Sequence, residues 1–389
     1  MQHDAIARAV AERKDALLSF LEKIVNMDSP TEDKALTDLV GDVLQAKAES
    51  LGMTCQRDPQ GVYADNRVCR LSPPGLGNAP RVLLIGHYDT VYAAGTVAER
   101  PFRIEGDRIT GPGTLDMKGG LTIGLFALEA LQAALGALPV NVTFIFNSDE
   151  EIGSPASRKV ILEEAARHDL ALVLEPGRPG PAMTIERKGV AIFHLDIEGR
   201  EAHAGAEPEK GINSIVEAAH KTLAIQALND ADAGTTVTPG VVAGGTKPYV
   251  VPGRTRLSVD CRVTSMEEQA RVTAGIEAAA AKSWMPGTRA TLTGGFHRPP
   301  MVAGARAMDY VARMQEVAGE VGFPLGAAAT GGASDGNLTA AAGTPTIDGL
   351  GAHGARAHSP EEYVELPSLE AKCRVLAAFL ASIGARPVG

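Results

Sequence analysis

Short, unbroken apolar runs alternate through the first half of this chain with stretches whose apolar positions recur every three or four residues. RVLLIG (81–86), NVTFIF (141–146) and LALVL (170–174) are too short and too continuous for amphipathic helices and read as strands buried on both faces. Between the first two, GGLTIGLFALEALQAAL, Gly119 to Leu135, reads as a helix. Strand, helix and strand at this spacing predict a βαβ unit with mainly parallel pairing. Ahead of it, two amphipathic helices are expected; the second is marked by Leu36, Leu39, Val40, Val43, Leu44, Ala48 and Leu51.

From Gly189 the pattern changes. VAIFHLDIEG alternates with period two, GINSIVEAAHKTLAIQAL is helical, TRLSVDCRV alternates again, and MEEQARVTAGIEAAAAKS is a second helix. Period-two strands belong to a sheet with one open face, so this is a small α+β module. Past Arg298 come a helical stretch, Ala305 to Val321, glycine-rich loops and another buried run, TPTID. The simplest parsing is an α/β domain of residues 1–188 and 298–389 with a mainly parallel mixed sheet flanked by helices, interrupted by an inserted module at 189–297. A chain of 389 residues supports two cores.

Charge and cysteine content narrow the chemistry. A net charge of -10 gives no clustered cations to neutralise phosphates, so nucleic acid is not an expected partner. The four cysteines, Cys55, Cys69, Cys261 and Cys373, are scattered and form no CxxC pair, so they are expected to be reduced structural thiols. No stretch approaches the roughly 18 apolar residues of a membrane span. The first twenty residues have no uninterrupted apolar segment, and a cytoplasmic protein is expected.

Each buried run of the first half ends in an acid or an imidazole. RVLLIG leads into His87 and Asp89, NVTFIFNS into Asp149, Glu150 and Glu151, and LALVL into Glu175. In open α/β sheets the ligand crevice lies beyond the carboxyl ends of the strands, so these groups can converge. Carboxylates packed together repel one another unless a cation compensates, which calls for a metal. Imidazole and carboxylate donors without thiolates suit Zn²⁺, Mn²⁺ or Co²⁺. Asp89 then receives the free N–H of His87 and fixes its orientation.

GHYDTV, GPGTLDMKGG, NSDEEIGS, LEP, GREAHAG, DCR, TGGASDGN and AHS occur in that order from Gly86 to Ser359. On these segments the chain resembles the zinc aminoacylase and carboxypeptidase family, and within it glutamate carboxypeptidases of the carboxypeptidase G type. The resemblance implies two zinc ions, with cobalt or manganese as substitutes. His87 and Glu175 would bind one, Glu151 and His358 the other, and Asp116 would bridge them. It also implies a cis peptide at Asp116 to Met117. A divalent pair lowers the pKa of a shared water from about 15.7 toward roughly 7, and Glu150 would act as general base.

The inserted module would serve as a ferredoxin-like lid and dimerisation domain of a homodimer. It would supply His203 for the oxyanion, in cis or across the dimer. Arg298 of FHRPP would pair with the free carboxylate of a small-molecule or short peptide substrate. Arg262 falls on a site-associated arginine, although a strand arginine equally suits a structural ion pair. Thr330, Gly331, Gly332 and Ser334 would line the pocket. Tyr249 stands where relatives carry asparagine, and His353 is a loop residue with no assigned role.

Three other readings remain open. GLGAHG (349–354) fits GxGxxG, but the adjoining ARAHSPEEY has no helical periodicity, so a dinucleotide site is disfavoured. An N-acyl amino acid deacylase shares the metal chemistry and differs only in the pocket. A binding protein on the same fold would have lost catalysis.

Overall fold

A computed structural model describes residues 2–77, 79–386 and 388. The chain divides into two compact units. The first comprises Met1–Glu186, Ala303–Ala329 and Ser334–Gly389; the second comprises Arg187–Val302 and Thr330–Ala333.

The first unit is built on a six-stranded sheet. In spatial order its strands are Thr54–Asp58, Asn66–Leu71, Asn141–Asn147, Arg81–His87, Leu170–Val173 and Thr346–Ile347. The last four run parallel, and the first two pair antiparallel. The apolar runs of the sequence are thus the central strands of a mixed sheet. Alternate side chains enter different cores: Val82 and Leu84 pack into the larger one, Leu83 and Ile85 into a smaller one with Ile161 of helix Arg158–Ala165. The larger core also holds helices Gln2–Ala11, Lys14–Val25, Lys34–Ser50, Gly119–Leu135, Ala305–Glu320 and Leu366–Ala385. The opening of the chain therefore forms three helices where two were expected.

The second unit follows the order β-α-β-β-α-β. Strands Thr236–Gly244, Arg254–Val263, Gly189–Glu198 and Arg289–Arg298 lie side by side in that spatial order, all antiparallel, which is the ferredoxin-like arrangement. Ala191, Phe193, Leu195 and Ile197 point into a core with Ala218 and Ile225 of helix Ser214–Gln226 and Val272 and Ile276 of helix Met266–Ala281. Ile192, on the other face, is exposed.

The expectation of four reduced thiols is corrected. Cys55 and Cys69 are joined by a disulfide, while Cys261 and Cys373 are free and buried. The cause is register: Cys55 lies directly opposite Cys69 in the antiparallel pair at the sheet edge. Persistent disulfides belong to oxidising surroundings, so cysteine usage does not support a reducing compartment. Among the described residues no helix is long and apolar enough to cross a membrane.

Candidate metal centre

His87 is the last residue of its strand, and Asp89 comes two residues on. Glu150 and Glu151 open a single helical turn, Glu150–Ile152, beyond the neighbouring parallel strand. Glu175 lies just past the strand on the other side. Asp116 lies in the turn 114–118 that feeds helix Gly119–Leu135, with a cis peptide to Met117. Close packing holds that turn over the strand: the His87 amide donates to Met117 Sδ at 3.3 Å, and any side chain on Gly86 would collide with Met117 and Leu121. His358 comes from the loop between strands Gly354–Ala355 and Tyr363–Glu365 and has φ +62, uncommon for a residue other than glycine.

These groups meet. Asp116 Oδ1 is 3.2 Å from His87 Nε2, and Asp116 Oδ2 is 3.1 Å from His358 Nε2. His87 Nε2 is also 3.7 Å from Glu175 Oε1, and His358 Nε2 is 3.1 Å from Glu151 Oε2. One ligand atom each of His87, Asp116 and Glu151 lie within 4.8 Å of one another, as do atoms of His87, Glu150 and Glu175. The two groups have His87 in common, and Asp116 turns one oxygen to His87 and the other to His358.

Electrostatics match that geometry. Burial opposes ionisation of Asp116, but hydrogen bonds with His358 and His87 outweigh it and hold the carboxyl well below its usual range. Hydrogen bonds to Asp116 and Glu151 raise His358 to about 11. His87 is raised too: burial disfavours its cation, but the bonds to Asp116 and Asp89 prevail. Burial pushes Glu151 upward, against the hydrogen bond from His358.

The donor set fits metal binding. Glu151 Oε1 is buried and has no hydrogen-bond partner among the described residues, although its other oxygen faces His358. A buried carboxylate oxygen left unsatisfied in a group with an imidazole and a further acid suits a metal ligand. His87 Nδ1 is 3.0 Å from the backbone carbonyl of Asp89 and 3.3 Å from its Oδ1. The main chain of Asp89 is therefore the nearer acceptor, where its carboxylate was expected, and either bond leaves Nε2 facing Asp116. The Asp89 carboxylate is also engaged elsewhere: it accepts from Thr31 Oγ1 at 2.8 Å and from the amides of Glu150 and Glu151 at 3.3 Å.

The other singled-out residues are not members of this cluster. In the second unit, His203 is exposed and its Nδ1 accepts from the amides of Gly205 and Ala206 at 3.2 and 3.0 Å. Arg262 grips Asp260 with two nitrogens, at 3.0 Å each, which is the structural ion pair that a strand arginine equally suits. Arg298 is buried at the end of its strand, opposite Val190. Thr330 is half-buried, and Gly332 accepts from Arg187 through its carbonyl at 3.3 Å. Ser334, in the first unit, is wholly buried and its hydroxyl donates to Asp348 at 2.5 Å, so it is committed inside the protein. Tyr249 is exposed, and its carbonyl accepts from the amide of Ala204, beside His203. His353 is buried against Phe323, and its Nε2 has no hydrogen-bond partner among the described residues. Sequence reasoning passed over Tyr92 and Glu362, which brace the loops carrying Asp116 and His358. EEY after AHS offered only a run of acids, with no signal of burial.

Comparison with known proteins agrees with the geometry. The model of peptidase family M20/M25/M40 matches residues 83–382. Carboxypeptidase G2 of Pseudomonas sp. (strain RS-16) is 31% identical over 98% of this chain and 92% of its own length. Acetylornithine deacetylase of Myxococcus xanthus is 32% identical over 67% of this chain and 70% of its own. Among solved structures, aminopeptidase PepT from Bacillus cereus superposes with a TM-score of 0.79 at 23% identity, covering 95% of this chain and 98% of that one, which speaks for the fold.

Proposed function

Because this chain belongs to peptidase family M20/M25/M40, and is thereby a metallohydrolase, we propose that it is a two-zinc enzyme. Its substrates are N-acyl or peptidyl amino acids with a free, glutamate-like C-terminal carboxylate, and it cleaves their amide bond. One observation carries this reading: the two oxygens of Asp116 face two different imidazoles, at 3.2 and 3.1 Å, each with a further acid beside it. His87 and Glu175 would hold one ion, Glu151 and His358 the other, and Asp116 would serve both. When bound, the pair supplies Lewis acidity and makes water a nucleophile at neutral pH.

The residues of the chain do the rest. Glu150, whose backbone amide is tied to Asp89, takes the proton of the attacking water and returns it to the nitrogen of the leaving amine. With Nδ1 of His203 accepting two amides, its proton sits on Nε2, which donates to the developing oxyanion. Arg298 pairs with the substrate carboxylate, for which a guanidinium fork is suited; Thr330 and Gly332 shape the approach. The second unit is also proposed as the homodimer contact, since Leu223, Val241 and Val242 are exposed on it. An obligate monomer of full activity refutes both that assembly and any action of His203 across it.

A deacylase acting on N-acyl amino acids is the second reading, supported by the identity with an acetylornithine deacetylase and by Tyr249, whose longer phenol alters the reach of the pocket. A hydrolysis screen of metal-loaded protein over dipeptides and N-acyl amino acids with varied C-terminal side chains separates the two. Turnover restricted to glutamate-terminated substrates is expected. Preference for small acyl groups irrespective of the C-terminal residue supports the deacylase, and no turnover at full metal loading leaves a binding protein.

A further inference from the structure

We propose that Glu362 is a positioning residue that sets Asp116 and His358 in register with each other, working through backbone amides on one side and the Tyr92 hydroxyl on the other. The inference rests on the proposed two-metal site. Glu362 is 2% exposed and lies in the loop that carries His358, one residue before strand Tyr363–Glu365. Tyr363 pairs with Thr110, and this pairing brings Glu362 alongside the glycine-rich segment that leads to Asp116.

Both oxygens of its carboxylate are used on that segment or on Tyr92. Oε1 accepts from the amides of Leu115 at 2.7 Å and Asp116 at 3.0 Å. Oε2 accepts from the amide of Gly113 at 3.2 Å and from Tyr92 at 2.6 Å. The single proton of Tyr92 is shared with the carbonyl of Ser359, 2.8 Å away and adjacent to His358. One buried carboxylate therefore fastens the backbone of the shared acid and, through one phenol, the backbone next to the imidazole that faces it.

Stability alone does not call for such a group, because burying a carboxylate is strongly unfavourable before its bonds are counted. Holding geometry does call for it. Three amides converge on one point in the 113–116 turn, and a carboxylate offers two oxygens, both free of protons, to meet them. His358 sits at φ +62, a conformation that a non-glycine residue keeps only when its surroundings impose it. Partners that orient metal ligands from behind are worth about 10–100-fold in metal affinity.

The test uses the full chain loaded with Co²⁺, comparing wild type with Tyr92→Phe, Glu362→Gln and Glu362→Ala. Co²⁺ affinity is read by chelator competition, coordination by the visible spectrum, and folding by circular dichroism and Tm. Tyr92→Phe is expected to keep the circular dichroism and Tm of wild type while one of two Co²⁺ ions is lost about 10-fold or more readily and the spectrum shifts. Glu362→Gln keeps one acceptor oxygen and is expected to fall between wild type and Glu362→Ala. Wild-type affinity and spectrum in both Tyr92→Phe and Glu362→Gln overturn the inference; should Glu362→Ala fail to fold, those two variants decide. A wild-type chain that binds no Co²⁺ overturns the metal reading itself, and this inference with it.

Discussion

Adjacent glutamates with different surroundings should fail in different ways. Glu151 is tied through Oε2 to His358, so Glu151→Ala is expected to lower metal content. Glu150→Ala should keep its metal and lose on the order of 10² to 10⁴ in turnover, the usual worth of a general base. Metal analysis beside steady-state kinetics checks both; an empty site in Glu150→Ala removes it from the role of base. A second residue-level expectation concerns Lys372, which burial lowers from 10.5 to about 7 and which donates to the Gly349 carbonyl at 3.0 Å. Between pH 7 and 10.5 the unfolded chain holds a proton here that the folded one lacks, so stability rises with pH across that window and the penalty is full below it. His353 beside it, lowered to about 3 by burial and by the Lys372 charge, adds a further loss as pH falls from about 6.5 to 3. Lys372→Met is therefore expected to raise Tm at pH 6, by a few kcal/mol of stability at most, with a gain that shrinks toward pH 10. Melting curves of both proteins at the two pH values check it. The acids and imidazoles that end strands were legible in the sequence because each comes directly after an apolar run. Glu362 was not, since nothing local distinguishes a carboxylate buried on amides from one in solvent.

At the scale of elements, helix Gly119–Leu135 determines where Asp116 sits. Gly120 packs so closely on the strand beyond it that a methyl group there would collide with the carbonyl of Leu174. Gly120→Ala is expected to cost about 1–3 kcal/mol or more, and metal content should drop with it because the helix carries the Asp116 turn. Tm and metal analysis of the variant test this; a wild-type Tm would show that the helix can shift freely. The bond between Cys55 and Cys69 closes a separation of 14 residues, worth about 3 kcal/mol by loop-closure entropy, so Cys55→Ser should lower Tm and make it insensitive to reductant. Helix Gly119–Leu135 could be read from the sequence to the residue because its 17 residues are mostly apolar, too long a run for a strand. Strand Thr54–Asp58 could not: TCQRD is a polar edge strand, and only its partner Asn66–Leu71 reveals both the strand and the thiol opposite Cys55.

For the whole molecule, the division of labour makes a prediction of its own. His87, Asp89, Asp116, Glu150, Glu151, Glu175 and His358 all belong to the first unit, and the second has a separate core. Ligand binding to a native state at a thousand times its Kd adds about 4 kcal/mol. Chelation should therefore lower the calorimetric transition of the first unit and leave that of the second in place; a shift of both together would mean that the units melt as one. A strand of the second unit begins at Gly189, where the sequence takes on a period of two. The return of residues 330–333 to it could not be read, because a glycine-rich loop carries no apolar period.

Helix Leu366–Ala385 lies in the larger core, where its Leu376, Phe379 and Leu380 join Leu128 of helix Gly119–Leu135 and Ile6 of Gln2–Ala11. During translation the ferredoxin-like sheet is complete before this helix leaves the ribosome, whereas the larger unit must wait for it with apolar surface uncovered. A nonsense codon anywhere between the end of that sheet and residue 366 should thus yield a polypeptide with one sound half and one that chaperones and proteases recognise.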